Sequence, residues 1–164
     1  MTQDTYDTSE VRSTLNDLIQ TLKDGEEGFR SAAEHASSSS LRSKFQEFEA
    51  QRADFAGELQ SLVATMGEEP AKSGSTAGAI HRGWIGLKSA ITGNDDHAIL
   101  AEAERGEDSA VKNYRDALSK NLPSETRAMI DLQYREIQAA HNQIRALRDS
   151  VQSSSKTTTT RSTY

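Results

Sequence analysis

Four charged or polar residues interrupt the apolar faces of the helices that this sequence predicts, and they are the residues best placed to do chemistry. They are Glu26, Arg52, Glu107 and His141. Each occupies a position where a spacing of three and four residues requires an apolar side chain. Because an ionised group in an apolar core is costly unless it is paired or bound, we expect each one to face a counter-charge, a hydrogen-bonding partner or a metal ion.

A short sequence motif occurs twice in similar form, and each copy contains one of the two glutamates. Residues 22–29 read Leu-Lys-Asp-Gly-Glu-Glu-Gly-Phe, and residues 103–110 read Ala-Glu-Arg-Gly-Glu-Asp-Ser-Ala. Glycine inside a helix costs about 1 kcal/mol relative to alanine. The presence of Gly25, Gly28 and Gly106 therefore indicates a close approach of helices, or a local distortion, beside the glutamates.

Apolar residues at helical spacing predict an all-α fold, a single antiparallel four-helix bundle over residues 8–151. The chain of 164 residues is long enough to bury a core without disulfides. A long crossover that contains a short extra helix joins the two hairpins. The helices are predicted at about 8–36, 40–66, 76–92, 95–120 and 124–151. Residues 1–7 and the Ser- and Thr-rich residues 152–164 are predicted to be disordered.

In antiparallel hairpins the interrupting residues fall at one level of the bundle, because residues equidistant from a turn face each other. Glu49 lies opposite Glu26 and shares a helix face with Arg52, three residues further on. The corresponding residues of the second hairpin are Gln138, Glu107 and His141. The sequence therefore predicts one central polar layer.

This arrangement resembles the ferritin-like di-iron carboxylate proteins, such as rubrerythrins and bacterioferritins. In those proteins two helices each give one glutamate and two give a Glu-x-x-His pair. The resemblance implies that Glu26 and Glu107 stand for the single glutamates, and that 49–52 and 138–141 stand for the two pairs. Three segments resemble more closely a family of small bacterial ferritin-like four-helix bundles described as a domain of unknown function. They are Leu-Asn-Asp-Leu-Ile at 15–19, Asp-Gly-Glu-Glu-Gly-Phe at 24–29 and Ala-Ile-His-Arg-Gly-Trp at 79–84.

Arg52 and Gln138 depart from the di-iron pattern and leave three interpretations of the layer open. Arginine cannot lose its proton to become a ligand, and it pairs with carboxylates instead, so a complete two-metal site is not expected. The layer is a buried ion-pair and hydrogen-bond network, a site for one iron, manganese or zinc ion, or part of a redox enzyme. The candidate metal ligands are Glu26, Glu49, Glu107 and His141, with Arg52, Gln138 and Tyr114 as partners in the layer.

The composition argues against several classes of function. The net charge is -6 and lysine and arginine are not clustered, so we predict no nucleic-acid binding. The absence of cysteine excludes disulfides and thiolate chemistry. No stretch approaches the ~20 apolar residues of a membrane span, and residues 1–7 lack the features of a secretory signal. We therefore expect a cytoplasmic protein without membrane association.

The remaining candidates have a structural and a functional interpretation. Trp84 either packs the crossover onto the bundle or presents an apolar stripe to a second copy of the chain or another protein partner. Tyr114 is a radical-forming or hydrogen-bonding residue, or simply part of the core. The single histidines His35, His81 and His97 are predicted to be surface or capping residues.

We therefore predict a non-catalytic ferritin-like bundle with a degenerate metal site, in a structural, stress-related or self-association role. One alternative is a metal-binding ferritin-like protein with weak oxidase or peroxidase activity. The other is a protein-interaction module.

Overall fold

The computed structural model describes residues 6–67, 84–93 and 95–159, and over these ranges the chain is helical and contains no strand. The elements are α1 (Thr8–His35), α2 (Ser39–Thr65), α3 (Leu87–Thr92), α4 (Asp96–Leu118) and α5 (Ser124–Thr159). The prediction of an all-α helical bundle is confirmed. None of the helices in the described ranges is long and apolar enough to cross a membrane.

Short polar side chains fix where the helices begin. Asp7 accepts hydrogen bonds from the backbone N–H groups of Ser9 and Glu10 at 3.0 and 3.3 Å, and so caps α1. Ser38 caps α2 in the same way, and Asp95 caps α4. Because each cap satisfies a backbone donor that the helix leaves free, the sequence determines these starts locally.

The long helices form two hairpins, α1 with α2 and α4 with α5, and α1 packs along α4 while α2 touches α5. The short helix α3 lies on α4 and α1. No backbone contact joins α2 to α4 in the described part, so these two helices are diagonal across the bundle.

The core consists of two apolar clusters, one at each end of the bundle. The first cluster includes Leu15, Leu22, Phe55 and Ile130, and the second includes Phe29, Phe45, Trp84 and Ile144. Along α1 the first cluster ends at Leu22 and the second begins at Phe29, and α2 and α4 show a break of the same length. On α5 the clusters meet more closely, at Ile137 and Ala140. The gap is the level at which the sequence places its polar layer.

Two helix boundaries differ from the prediction. In the crossover α3 begins only at Leu87, after a turn at 84–86, and the predicted helical residues 76–83 lie outside the described ranges. Helix α5 continues to Thr159, whereas the sequence predicted disorder from residue 152. Adding residues to an existing helix avoids the cost of nucleation, so Ser and Thr residues of low helix propensity can prolong it. Asp7, which the sequence placed in the disordered residues 1–7, caps α1 instead. Residues 1–5 and 160–164 lie outside the described ranges.

Candidate functional site

The centre of the polar layer is an ion pair between Arg52 of α2 and Glu107 of α4. Nη2 of Arg52 donates to Oε2 of Glu107 at 2.6 Å, and each side chain is only 1% exposed. Because α2 and α4 are diagonal, this pair crosses the middle of the bundle and joins the two hairpins.

Small and aromatic residues of α1 make room for the arginine. A Cβ atom on Gly25 would lie 3.5 Å from Cγ of Arg52, so the arginine stem packs over this glycine at ordinary contact distance. The guanidinium carbon lies 5.4 Å from the ring centroid of Phe29. A cation at this distance from an aromatic ring is attracted to it, more strongly where water is excluded.

Burial and attraction act on the Glu107 carboxylate in opposite directions. Burial raises the pKa of Glu107 above its ordinary value of 4.5, while the positive charge of Arg52 and its hydrogen bond lower it. Nε of Arg52 is buried and has no hydrogen-bond partner. The guanidinium therefore depends on Glu107 for its charge compensation.

The other two predicted carboxylates lie in the groove between α1 and α2, where Arg30 bridges them. Its Nη2 lies 3.2 Å from Oε1 of Glu26, and its Nε lies 2.9 Å from Oε1 of Glu49. Lys23 makes a further ion pair with Glu26 at 3.3 Å. Arg30 was not predicted as a site residue, although it lies four residues after Glu26, the spacing at which opposite charges meet on a helix.

On α5 the two predicted layer residues also have nearby partners. Nε2 of His141 lies 2.6 Å from Oδ1 of Asp108, which is itself 64% exposed. Nε2 of Gln138 donates to the hydroxyl of Tyr134 at 2.9 Å. His141 therefore reaches the polar layer at its solvent-facing edge.

The candidate ligands do not converge on one point. The described residues contain no group of three or more His, Asp or Glu side chains arranged to hold a metal ion. Three neighbours engage the four candidates: Arg30 contacts both Glu26 and Glu49, Arg52 contacts Glu107, and Asp108 contacts His141. Arginines already compensate the carboxylates of the predicted four-ligand set in this arrangement, and metal binding by these residues stays a prediction.

A second buried polar group lies beside the first apolar cluster. Tyr114 is fully buried, and its hydroxyl donates to Oε1 of Gln133 at 2.6 Å. Nε2 of Gln133 donates in turn to the backbone oxygen of Phe55 at 3.3 Å and to Glu58 at 3.0 Å. Of the roles considered for Tyr114 from the sequence, a hydrogen-bonding residue matches this contact. Gln133 was not predicted, although it interrupts the apolar face between Ile130 and Ile137.

We expect Tyr114 to make the protein sensitive to alkali. Burial raises the pKa of Tyr114 well above its ordinary value of 10.0. Its neutral form therefore contributes stability that is complete below about pH 10 and is lost as the pH rises through and beyond that value, at up to about 1.4 kcal/mol per pH unit. Between pH 8 and 11 the free energy of unfolding, measured in urea, should fall more steeply with pH for the wild type than for Tyr114→Phe. Tyr134→Phe serves as the control, and parallel curves for wild type and Tyr114→Phe would contradict the prediction.

The remaining sequence candidates lie outside this network. Trp84 is 3% exposed and packs inside the bundle, as the structural interpretation of it requires, while Ile85 beside it is 74% exposed. Nδ1 of His35 lies 2.8 Å from the backbone oxygen of Ser31. His97 follows the α4 cap, and its Nε2 is buried without a hydrogen-bond partner. His81 lies outside the described residues.

Comparison with known proteins agrees with this architecture. Residues 10–120 match the family described as Domain of unknown function (DUF2383). The chain belongs to this family. Among solved structures, the DUF2383 chain is similar to a mutant of Dps1 from Mycobacterium smegmatis, with a TM-score of 0.70 and 16% sequence identity over 86% of this chain and 96% of that one. At this identity the likeness shows a shared ferritin-like fold. No curated protein matches the DUF2383 chain.

Proposed function

We propose that this protein is a non-catalytic ferritin-like bundle in which an internal ion pair takes the place of a metal centre. The observation that carries the proposal is the contact of 2.6 Å between Arg52 and Glu107, both 1% exposed, at the middle of the bundle. A guanidinium there supplies the positive charge that a metal ion would otherwise bring to a buried carboxylate.

The charges of the layer are matched without any added cation. Arg30 and Lys23 accompany Glu26 and Glu49 in the α1–α2 groove, and Arg52 accompanies Glu107 in the core. A divalent ion bound by these carboxylates would have to displace arginines that cannot be neutralised by loss of a proton. Metal binding is therefore opposed by electrostatic repulsion as well as by geometry.

The role we propose for the pair is to specify how the hairpins assemble. Apolar clusters at both ends of a bundle tolerate sliding and rotation of one hairpin against the other, because apolar contacts are not directional. A buried ion pair does not, since any shift of register leaves both charges without a partner. Arg52 and Glu107 join diagonal helices, so a single contact fixes α2 relative to α4.

The test is metal content under conditions that favour binding. The protein is purified without chelator or affinity tag, reloaded anaerobically with ferrous or manganous ions, desalted and analysed for metal. We expect no stoichiometric metal in the wild type. Stoichiometric metal that is lost in Glu26→Ala and His141→Ala would overturn the proposal and establish a mononuclear site.

A restored variant provides the matched comparison. Arg52→His together with Gln138→Glu recreates the two Glu-x-x-His pairs and removes the blocking guanidinium, so we expect metal occupancy to rise above that of the wild type. The double variant Arg52→Gln with Gln138→Glu removes the same charge without supplying a histidine. It should therefore bind less metal than Arg52→His with Gln138→Glu. Ferrous-ion oxidation or peroxide consumption by the wild type, abolished in Glu107→Ala, would show that the bundle is catalytic.

A further inference from the structure

The indole of Trp84 lies in a narrow slot between two glycines on different helices. A Cβ atom on Gly28 of α1 would lie 2.4 Å from Cδ2 of the indole, and one on Gly106 of α4 would lie 2.3 Å from Cε2. Both distances are far below ordinary contact, so even alanine at either position would push the ring out. Helix backbone at these two glycines therefore lines the slot.

The floor of the slot is aromatic and leads to the polar layer. Phe29 meets the indole edge-on, with ring centroids 5.1 Å apart and planes inclined by 79°. On its other side the Phe29 ring faces the guanidinium of Arg52 at 5.4 Å. Glu107 follows Gly106 directly in the chain. Phe29 thus contacts both the indole of Trp84 and the guanidinium of the buried ion pair.

The segment that carries Trp84 also places Leu87 and Ala90 of α3 in the second apolar cluster. Ile85 points outward and is 74% exposed. The N–H of Gly86 donates to Oε2 of Glu102 at 3.1 Å, and a Cβ atom on Gly86 would lie 2.4 Å from that carboxylate. The following helix α3 has only six residues and no side-chain cap. The indole is therefore inserted from a short surface segment and does not belong to a bundle helix.

We propose that the slot between Gly28 and Gly106 is a binding site for a flat aromatic ring, which this chain fills with its own Trp84. Two backbone walls and an aromatic floor select a planar apolar molecule of about the size of indole. An apolar space left by a deleted side chain takes up small aromatic molecules when it stays closed to water. Filled by Trp84, it seals the ion pair of Arg52 and Glu107 from water.

An attached ring competes strongly with a free one. A group held by a short tether acts at an effective concentration in the millimolar range or above, so free indole cannot enter the wild-type slot at ordinary concentrations. The site becomes measurable when the internal ring is removed. The ligand chemistry is that of indole or another planar ring of two fused cycles, and indole is the probe.

The experiment is rescue of Trp84→Ala by indole. We expect indole to bind this variant with a stoichiometry of one in calorimetry and to raise its melting temperature, while the wild type shows neither effect. A folded Trp84→Ala that does not bind indole would overturn the proposal. Two double variants form a matched pair. Trp84→Ala with Gly106→Ala fills the slot, and Trp84→Ala with Gly57→Ala is the control, because a Cβ atom on Gly57 would meet nothing within 4 Å. Only the first should lose indole binding, by at least tenfold.

A second measurement applies if Trp84→Ala does not fold. Trp84 is the single tryptophan of the chain, so its fluorescence reports on the slot in variants that keep it. Gly28→Ala and Gly106→Ala should each shift the emission maximum to longer wavelength and increase quenching by acrylamide, and Gly57→Ala should do neither. Emission unchanged in both slot variants would show that the walls do not form a fitted site for the ring.

Discussion

Replacing Arg52 with alanine is expected to destabilise the protein by about 3 to 5 kcal/mol, because the substitution leaves a buried carboxylate without its cation. Glu107 is 1% exposed, and its hydrogen bond to Arg52 is 2.6 Å long. Part of the cost is relieved if Glu107 takes up a proton, which its raised pKa favours. The free energy of unfolding in guanidinium chloride, compared at pH 5 and pH 8, measures both effects, and the loss should be larger at pH 8.

Two further variants separate the buried charge from the loss of side-chain contacts. Arg30→Ala removes the arginine that is 50% exposed and bridges Glu26 and Glu49, so it should cost less than about 1 kcal/mol. Arg52→Met together with Glu107→Met replaces the whole pair by apolar side chains, and the result should lie within about 1 kcal/mol of the wild type, or above it. A loss below about 1 kcal/mol in Arg52→Ala itself would mean that water reaches the pair.

The level of the polar layer was predictable from sequence, because it depends only on counting residues from the turns. The helical spacing of apolar residues also predicts where the two apolar clusters end. In α1 the last apolar residue of the first cluster is Leu22, and the first of the second cluster is Phe29. Helix starts were accessible for a similar reason. A cap such as Asp95 acts on backbone donors only two or three residues away.

The partners within the layer were not predictable, because they depend on the angle of each residue around its helix. Residues three apart on an α-helix differ by about 60° in direction. Arg52 points into the bundle, so Glu49, three residues earlier, falls in the groove beside α1, where Arg30 binds it. The same offset separates Gln138 from His141. A single sequence gives the height of a residue in the bundle more accurately than its direction.

The fit of Trp84 was beyond sequence analysis for a different reason. Gly28 and Gly106 are far apart in the chain and line one slot only when α1 packs on α4. Glycine in a helix indicates close approach of some neighbour. Whether that neighbour is a helix backbone or an inserted ring depends on the crossover, and α3 is too short for periodicity to place it.

Replacing Phe29 with alanine is expected to cost about 3 to 5 kcal/mol, the range for deleting a buried aromatic ring. The side chain is fully buried and is the contact point of four others. These neighbours are Phe45, Phe48, Trp84 and Arg52. Denaturant unfolding followed by circular dichroism measures the loss, and Phe29→Leu, which keeps most of the volume, should lose much less. A loss below about 1 kcal/mol in Phe29→Ala would show that the bundle closes around the vacated space.

Two consequences distinguish Phe29 from an ordinary core ring. Phe45→Ala removes a ring of the same cluster, 6.1 Å from Phe29, and should lower stability by a similar amount without moving the fluorescence of Trp84. Phe29→Ala should shift that fluorescence, because the indole rests on the Phe29 ring. The double-mutant cycle of Phe29→Leu with Arg52→Met should then give a coupling of about 0.5 to 2 kcal/mol, the range for a cation facing a buried ring. Additive losses would mean that the ring supports the guanidinium only by filling space, and the ion pair with Glu107 would then hold Arg52 in place by itself.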